Sequence, residues 1–222
     1  MATTPNTHNP VDDVLNETEL GTFISRNMGL IIGLVIAIII GVFAWGGYTS
    51  FTETKNDKLG SIVFNFKTTN FTKLAEKKMS PADFTNAFVV MANEVEYFSG
   101  LVPFALIASD ELYKQNAIKS SLAVLKTVEN QSNPFMVYFV HSRMAVAHED
   151  LAQNDLAIAD LERIVKSNIK VMESKTYLDL GRLYLKKGDK EKAKSNFQFV
   201  IDNLGQAEFV KLAKLYIADL EL

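Results

Sequence analysis

One apolar run dominates the chain. It extends from Met28 to Tyr48, MGLIIGLVIAIIIGVFAWGGY, and no charged residue stands between Asn27 and Thr52. At about 1.5 Å per residue the run reaches about 31 Å, the thickness of a hydrocarbon core. A lone segment at that depth must satisfy its own backbone polar groups, so it is a helix. Trp45 and Tyr48 close one end, where amphipathic rings favour the interface. The pattern predicts a transmembrane helix over 27–50, after a short disordered tail over 1–26 rich in Thr, Asn, Pro and Asp. A cleaved signal peptide would need a basic leader and an A-x-A-like site. Here Arg26 stands against Asp12, Asp13, Glu17 and Glu19, and Ala44-Trp45-Gly46 matches such a site poorly. A buried core helix rarely keeps so long an apolar run.

Within the run, Gly29, Gly33, Ala37 and Gly41 recur every fourth residue and share a face. Small residues on one face let a second membrane helix approach closely. Glycine is also simply common in membrane spans, and the stripe is open to both readings.

After Thr52 the pattern turns amphipathic. Leu59, Ile62, Val63 and Phe66 fall at helical spacing. Ser80-Pro81-Ala82-Asp83 opens a new helix, with Ser80 as N-cap and Pro81 at the first helical position. Phe84, Ala87, Phe88, Met91 and Val95 form its apolar face. These are the membrane-proximal helices of 51–102. From Pro103 the chain reads helix, short turn, helix: 103–114, 116–129, 134–152, 155–167, 172–187, 189–203 and 206–220. Loops this short join antiparallel neighbours. No useful strand alternation is present. The fold class is all-α.

One helix pair carries a motif. Tyr177, Leu180, Gly181, Tyr184, Gly188, Asp189, Ala193 and Phe197 follow the tetratricopeptide pattern. Gly181 and Ala193 let two helices approach, the aromatics fill the space around them, and Gly188 permits the turn. At the repeat's usual spacing of about 34 residues, Ala147 takes the place of Gly181, Asn154 of Gly188, Asp155 of Asp189 and Ala159 of Ala193. That copy is degenerate, with Arg143 and Asp150 where aromatics are usual. Phe209, Leu212, Ala213 and Tyr216 form a partial copy in a C-terminal capping helix. The repeat domain spans 103–222.

Stacked helix pairs form a superhelix whose first helices line a groove. In this register the groove-facing residues are His141, Met144, His148 and Leu151, then Lys175, Leu178, Arg182 and Leu185. A mixed apolar and basic surface of this kind suits a peptide or an unfolded segment. It is equally the description of a solvated face whose apolar members pack under a neighbouring helix.

Composition removes chemistry rather than adding it. The chain has 222 residues, 23 Lys and Arg against 26 Asp and Glu, and no cysteine. The net charge of -3 leaves no nucleic-acid footprint. Disulfides, thiol nucleophiles and cysteine metal sites are excluded. His141 and His148 stand two helical turns apart, unlike the one-turn spacing of H-E-x-x-H. No glycine-rich phosphate loop or G-x-S-x-G appears. The basic run from Lys186 to Lys194 carries interleaved acids and reads as a solvated face. The expectation is a binding protein without cofactor, metal or catalytic residues. A hydrolase or enzyme regulator is remote.

MGLIIGLVIAIIIGVFAWGGY, the helix opened by SPADF, and GRLYLKKGDKEKAKSNFQFVI, taken in that order, resemble the ancillary SecYEG translocon subunit family. The resemblance covers nearly the whole chain. It implies a bacterial inner-membrane protein with a short cytoplasmic tail, one span and a periplasmic repeat domain. It also implies two kinds of partner: the SecYEG translocon, and a membrane-anchored periplasmic chaperone of the prolyl-isomerase type. The charge count departs from that layout. Arg26 precedes the span, whereas Lys55, Lys58 and Lys67 follow it, and positive-inside counting alone would put the repeats in the cytoplasm. The function expected is a membrane-anchored scaffold that binds partners or emerging chains at the translocon. The alternative is a scaffold of another envelope complex, in outer-membrane assembly or cell division.

Overall fold

The structure is a computed structural model, and it describes residues 23, 26–96, 98–203 and 206–220. The tail expected over 1–26 lies almost wholly outside the described residues. Among those described there is no strand. Ten α-helices follow in order: α1 Met28–Phe66, α2 Thr72–Ala75, α3 Pro81–Glu94, α4 Leu101–Lys114, α5 Ile118–Lys126, α6 Pro134–Asp150, α7 Asn154–Lys166, α8 Glu173–Lys187, α9 Lys190–Asn203 and α10 Ala207–Leu220. A π-helical turn, Lys67–Phe71, joins α1 to α2. The chain divides into two compact units, 1–57 and 58–222.

In the first unit, Met28–Trp45 is the one stretch among the described residues long and apolar enough to cross a membrane. Leu30, Leu34, Ile36, Ile38, Ile40, Val42 and Phe43 are all exposed on it. Side chains of this kind are left open to water only at a cost, and lipid removes that cost.

The second unit holds two hydrophobic clusters. The first gathers Phe66, Phe71, Phe84, Phe88 and Phe104 from α1, the π turn, α3 and α4. Their ring centroids lie 5.5 to 6.3 Å apart, several edge to face, the arrangement the ring quadrupoles prefer. The second gathers Ala157, Leu161, Ile164, Leu183, Tyr184, Ala193, Phe197 and Val200 from α7, α8 and α9.

Local signals account for the helix ends. The Ser80 hydroxyl accepts the Asp83 N–H at 3.1 Å and donates to the Asp83 carboxylate at 2.6 Å. With Pro81 at the first position, α3 starts where the capping signature places it. Asn133 and Pro134 do the same for α6, the Asn133 side chain accepting from Phe135 N–H at 2.9 Å. Pro103 stands inside the first turn of α4 rather than opening it. The position tolerates proline because an N–H there has no intrahelical partner.

The helix C-termini repeat one device. Lys77, Asn116, Ala152 and Gly188 all have positive φ. At Gly188, the next residue, Asp189, donates to the Tyr184 carbonyl and Gly188 itself to Leu185. Ala152 and Gln153 bond to Glu149 and His148 in the same way, and Asn116 and Ala117 to Tyr113 and Leu112. This is the left-handed helix stop with its two reversed hydrogen bonds.

Candidate protein-binding surface

These stops set the true repeat. Asn116, Ala152 and Gly188 stand 36 residues apart. The same interval aligns Ser109, Ala145 and Gly181 on the first helices, and Ser121, Ala157 and Ala193 on the second, all buried. The expected spacing of 34 is therefore corrected. Ala145, not Ala147, stands at the place of Gly181. Ala157, not Ala159, stands at the place of Ala193: Ala157 is fully buried, and Ala159 is exposed. Ala152, not Asn154, makes the turn, and Gln153, not Asp155, follows it. The aromatic places of Tyr177 and Tyr184 fall to His141 and His148, not to Arg143 and Asp150.

The shift decides which side of α6 and α7 is accessible. Two residues are about 200° around a helix, so a register error of two turns a face inside out. Of the residues expected to line a groove, His141, Met144, His148 and Leu178 are buried. Leu151, Arg182 and Leu185 are partly exposed, and Lys175 is exposed. Lys175 and Arg182 keep their expected place on the accessible side of the first helices, which they share with Ile107, Asp110 and Lys114 on α4, Phe139, Arg143, Val146 and Asp150 on α6, and Asp179 and Lys186 on α8. Ile107, Phe139 and Val146 are 46%, 40% and 47% exposed.

Arginine forks tie the first helices together along this surface. Arg143 donates through Nε and Nη2 to the two Asp110 oxygens at 2.8 and 3.0 Å, linking α6 to α4. Arg182 donates to both Glu149 oxygens at 2.5 and 2.7 Å, linking α8 to α6. Hydrogen bonding from Arg182 holds the Glu149 carboxyl below its ordinary value, against the opposing effect of burial. Tyr113 bonds Asp150, and Lys175 pairs with Asp179. Beside the forks, a recess of about 320 Å³ is lined by Tyr113, Tyr138, Ser142, Arg143, Val146 and Lys175 among others. With these cations matched by carboxylates, what the surface offers is its apolar side chains.

Beneath the surface sits a polar cluster the sequence reading missed. Asp160 on α7 is 6% exposed and receives both histidines of α6. His141 Nδ1 lies 2.7 Å from Oδ1 and His148 Nδ1 lies 2.7 Å from Oδ2. His141 Nε2 faces the Glu129 carbonyl at 3.3 Å. The partners of His141 are thus a side-chain carboxyl and a main-chain carbonyl. The cluster packs α6 on α7. It is closed to substrate, and among the described residues no group of three His, Asp or Glu is placed to hold a metal. Asp160 had a legible signal: it stands between Ala157 and Ile164 on the apolar face of its helix, where a lone carboxylate needs a partner.

In the second unit, adding a Cβ to Gly181 would bring it within 2.6 and 2.8 Å of Phe197 Cδ1 and Cζ. The close approach proposed for the motif is thus present. In the first unit, a Cβ on Gly29, Gly33 or Gly41 would meet nothing within 4 Å, so the small-residue stripe faces open space.

A family model described as a tetratricopeptide repeat-like domain matches residues 22–221. The chain belongs to that family. No curated protein matches it. Tetratricopeptide-like domains are in general scaffolds for protein interaction rather than enzymes.

Proposed function

We propose that this chain is a single-span bacterial inner-membrane scaffold whose repeat domain lies in the periplasm. It binds partner proteins through the accessible side of α4, α6 and α8. The partners are the SecYEG translocon and a membrane-anchored periplasmic chaperone, and the activity is to hold exported segments near that chaperone. One observation carries the binding role: a domain of a scaffold family exposes Ile107, Phe139 and Val146 on its first helices, in a surface tied together by ion pairs. The apolar Met28–Trp45 stretch supports the membrane anchor. The order of span and repeats, shared with translocon-associated proteins, supports the partners.

Purification of the full chain from membranes in mild detergent, after crosslinking, tests the reading. Translocon subunits in the eluate, lost in Phe139→Asp and Val146→Asp variants, are the result expected. Outer-membrane assembly or division components instead would assign the scaffold to another envelope complex. Replacing Gly33 and Ala37 with Ile tests whether the small-residue stripe of Gly29, Gly33, Ala37 and Gly41 adds a contact within the membrane. Recovery should fall while insertion stays intact. Because the chain has no cysteine, one cysteine placed at Lys119 reports sidedness. An impermeant thiol reagent should label it from the periplasm in cells with an opened outer membrane.

A further inference from the structure

A second groove lies in the second unit, away from the first-helix surface, between the end of α1 with its π turn and α3. Its volume is about 680 Å³. The floor is apolar: Ile62 and Phe66 on one side, Ala87, Val90 and Met91 on the other. Val90 is 70% exposed, although it stands on the same helix as the buried Phe84 and Phe88. The rim is built from amides. Asn65 and Asn70 stand on one wall and Asn86 on the other. None of the three side-chain amides makes a hydrogen bond among the described residues.

The π turn shapes one wall. A turn of that kind inserts one residue, redirects the side chains that follow and loosens the backbone ladder. Here the hydroxyls of Thr68 and Thr69 take up the slack, donating to the Phe64 and Asn65 carbonyls at 3.0 and 2.6 Å. The Asn65 carbonyl is thus occupied, and its side-chain amide stays available. Thr69 and Asn70, inside the turn, face the groove.

The chemistry of these walls selects an occupant. A carboxamide carries one donor face and one acceptor face, the complement of a backbone peptide group. Two walls of amides over an apolar floor grip an extended backbone through its N–H and C=O groups and take its small apolar side chains below. The wall from Ile62 to Asn70 is about 12 Å long, room for about four extended residues. Glu94 is the single charged residue of the lining, so the groove repels acidic segments and favours a basic one. We propose that this groove binds extended, unfolded polypeptide with small apolar residues and a nearby lysine or arginine. Met91 suits such use, because an unbranched thioether adapts to varied side chains. The inference does not depend on the role assigned to the first-helix surface.

The test uses the full chain in detergent and a short fluorescein-labelled peptide of alternating Ala and Val with one central Lys, read by fluorescence anisotropy. The peptide should bind. Its backbone N-methylated form, and the form with Glu for Lys, should bind about tenfold more weakly, the size of one or two net hydrogen bonds. The double variant Asn65→Ala, Asn86→Ala should lose a similar factor while keeping its helical circular dichroism, since both side chains are exposed. Glu94→Gln should abolish the Lys over Glu preference and leave the sensitivity to N-methylation. Lys119→Ala, at an exposed position of α5 outside both surfaces, should leave the affinity unchanged. No binding by the wild type, equal binding by the Asn double variant, or a loss seen only with Lys119→Ala would each overturn the proposal.

Discussion

The hairpins α6–α7 and α8–α9 share a left-handed stop and differ in their interiors. In α8–α9, Tyr177, Gly181, Tyr184, Ala193 and Phe197 fill the interface with rings, and Phe197 stacks on Tyr216 of α10 at 4.8 Å. In α6–α7 the equivalent places, 36 residues earlier, hold His141, Ala145, His148, Ala157 and Leu161. The smaller Leu161 stands where Phe197 does, and Ala145 can stand where only glycine fits beside the ring. The two histidines are spanned by Asp160. The Tyr184 hydroxyl instead reaches Glu162 at 2.7 Å, and burial together with that hydrogen bond pushes it up to about 12. One hairpin is thus held by shape and the other by a buried hydrogen-bond network. The difference shows that the repeat requires close helix approach and a left-handed stop. It does not require aromatic residues.

The largest effect should come from the network. Asp160→Ala leaves two buried histidines without their partner, and each buried polar group left unsatisfied costs about 1–3 kcal/mol. Thermal melting of the full chain in detergent should fall by about 10 °C or more. A melt unchanged by the substitution would remove the hydrogen-bond network as the basis of the α6–α7 interface.

In the other hairpin the vulnerable point is the glycine. Gly181→Leu forces a large side chain against Phe197, for about 1–3 kcal/mol of strain. Pairing it with Phe197→Ala should recover part of the loss, and a double-mutant cycle measures the coupling. Independent effects would show that the ring is not what excludes the side chain.

The third test improves the weaker copy. Ala152 holds φ 58 at the stop that Gly188 makes with φ 87. Ala152→Gly should stabilise by about 1 kcal/mol, because a Cβ is disfavoured in that conformation. The Asn116 stop should gain less from the same change, since asparagine tolerates the conformation better. A destabilised Ala152→Gly variant would mean that the turn is not held in the left-handed region.

The smallest effect is in acid. Glu149 titrates below its ordinary value in the folded chain because Arg182 bonds it. Its contribution is therefore present above the ordinary carboxylate value of 4.5 and is lost as pH falls through the lower, folded one. The Arg182 side chain is 35% exposed, so screening limits the pair to about 0.5 kcal/mol. Arg182→Ala should flatten the melting temperature by that amount between neutral and acid pH. An identical acid profile in the variant would detach the ion pair from stability.

The apolar run at Met28–Tyr48, the helix opened by Ser80 and Pro81, and the Gly181 motif were legible from residue order. Each rests on local chemistry: solvation of a continuous segment, a capping hydrogen bond, and a side chain too small to block approach. The turn residues show where residue order stopped being enough. Gly188 announces its stop, but Ala152 and Asn116 make the same stop with side chains, and only their backbone conformation reveals it. Missing them moved the α6–α7 copy by two residues and turned the groove face expected on α6 inward, whereas Lys175 and Arg182 on α8 stayed accessible. Asp160 was equally hidden in its role. Its partners His141 and His148 lie 19 and 12 residues away along the chain, and their meeting depends on how α6 packs on α7. Residue order by itself determined the helices, the apolar span and the one well-formed repeat, because these are set within a few turns of chain. Which faces were buried, and which residues were left for a partner, was decided only when the hairpins stacked. Burial is a property of the neighbours a helix acquires.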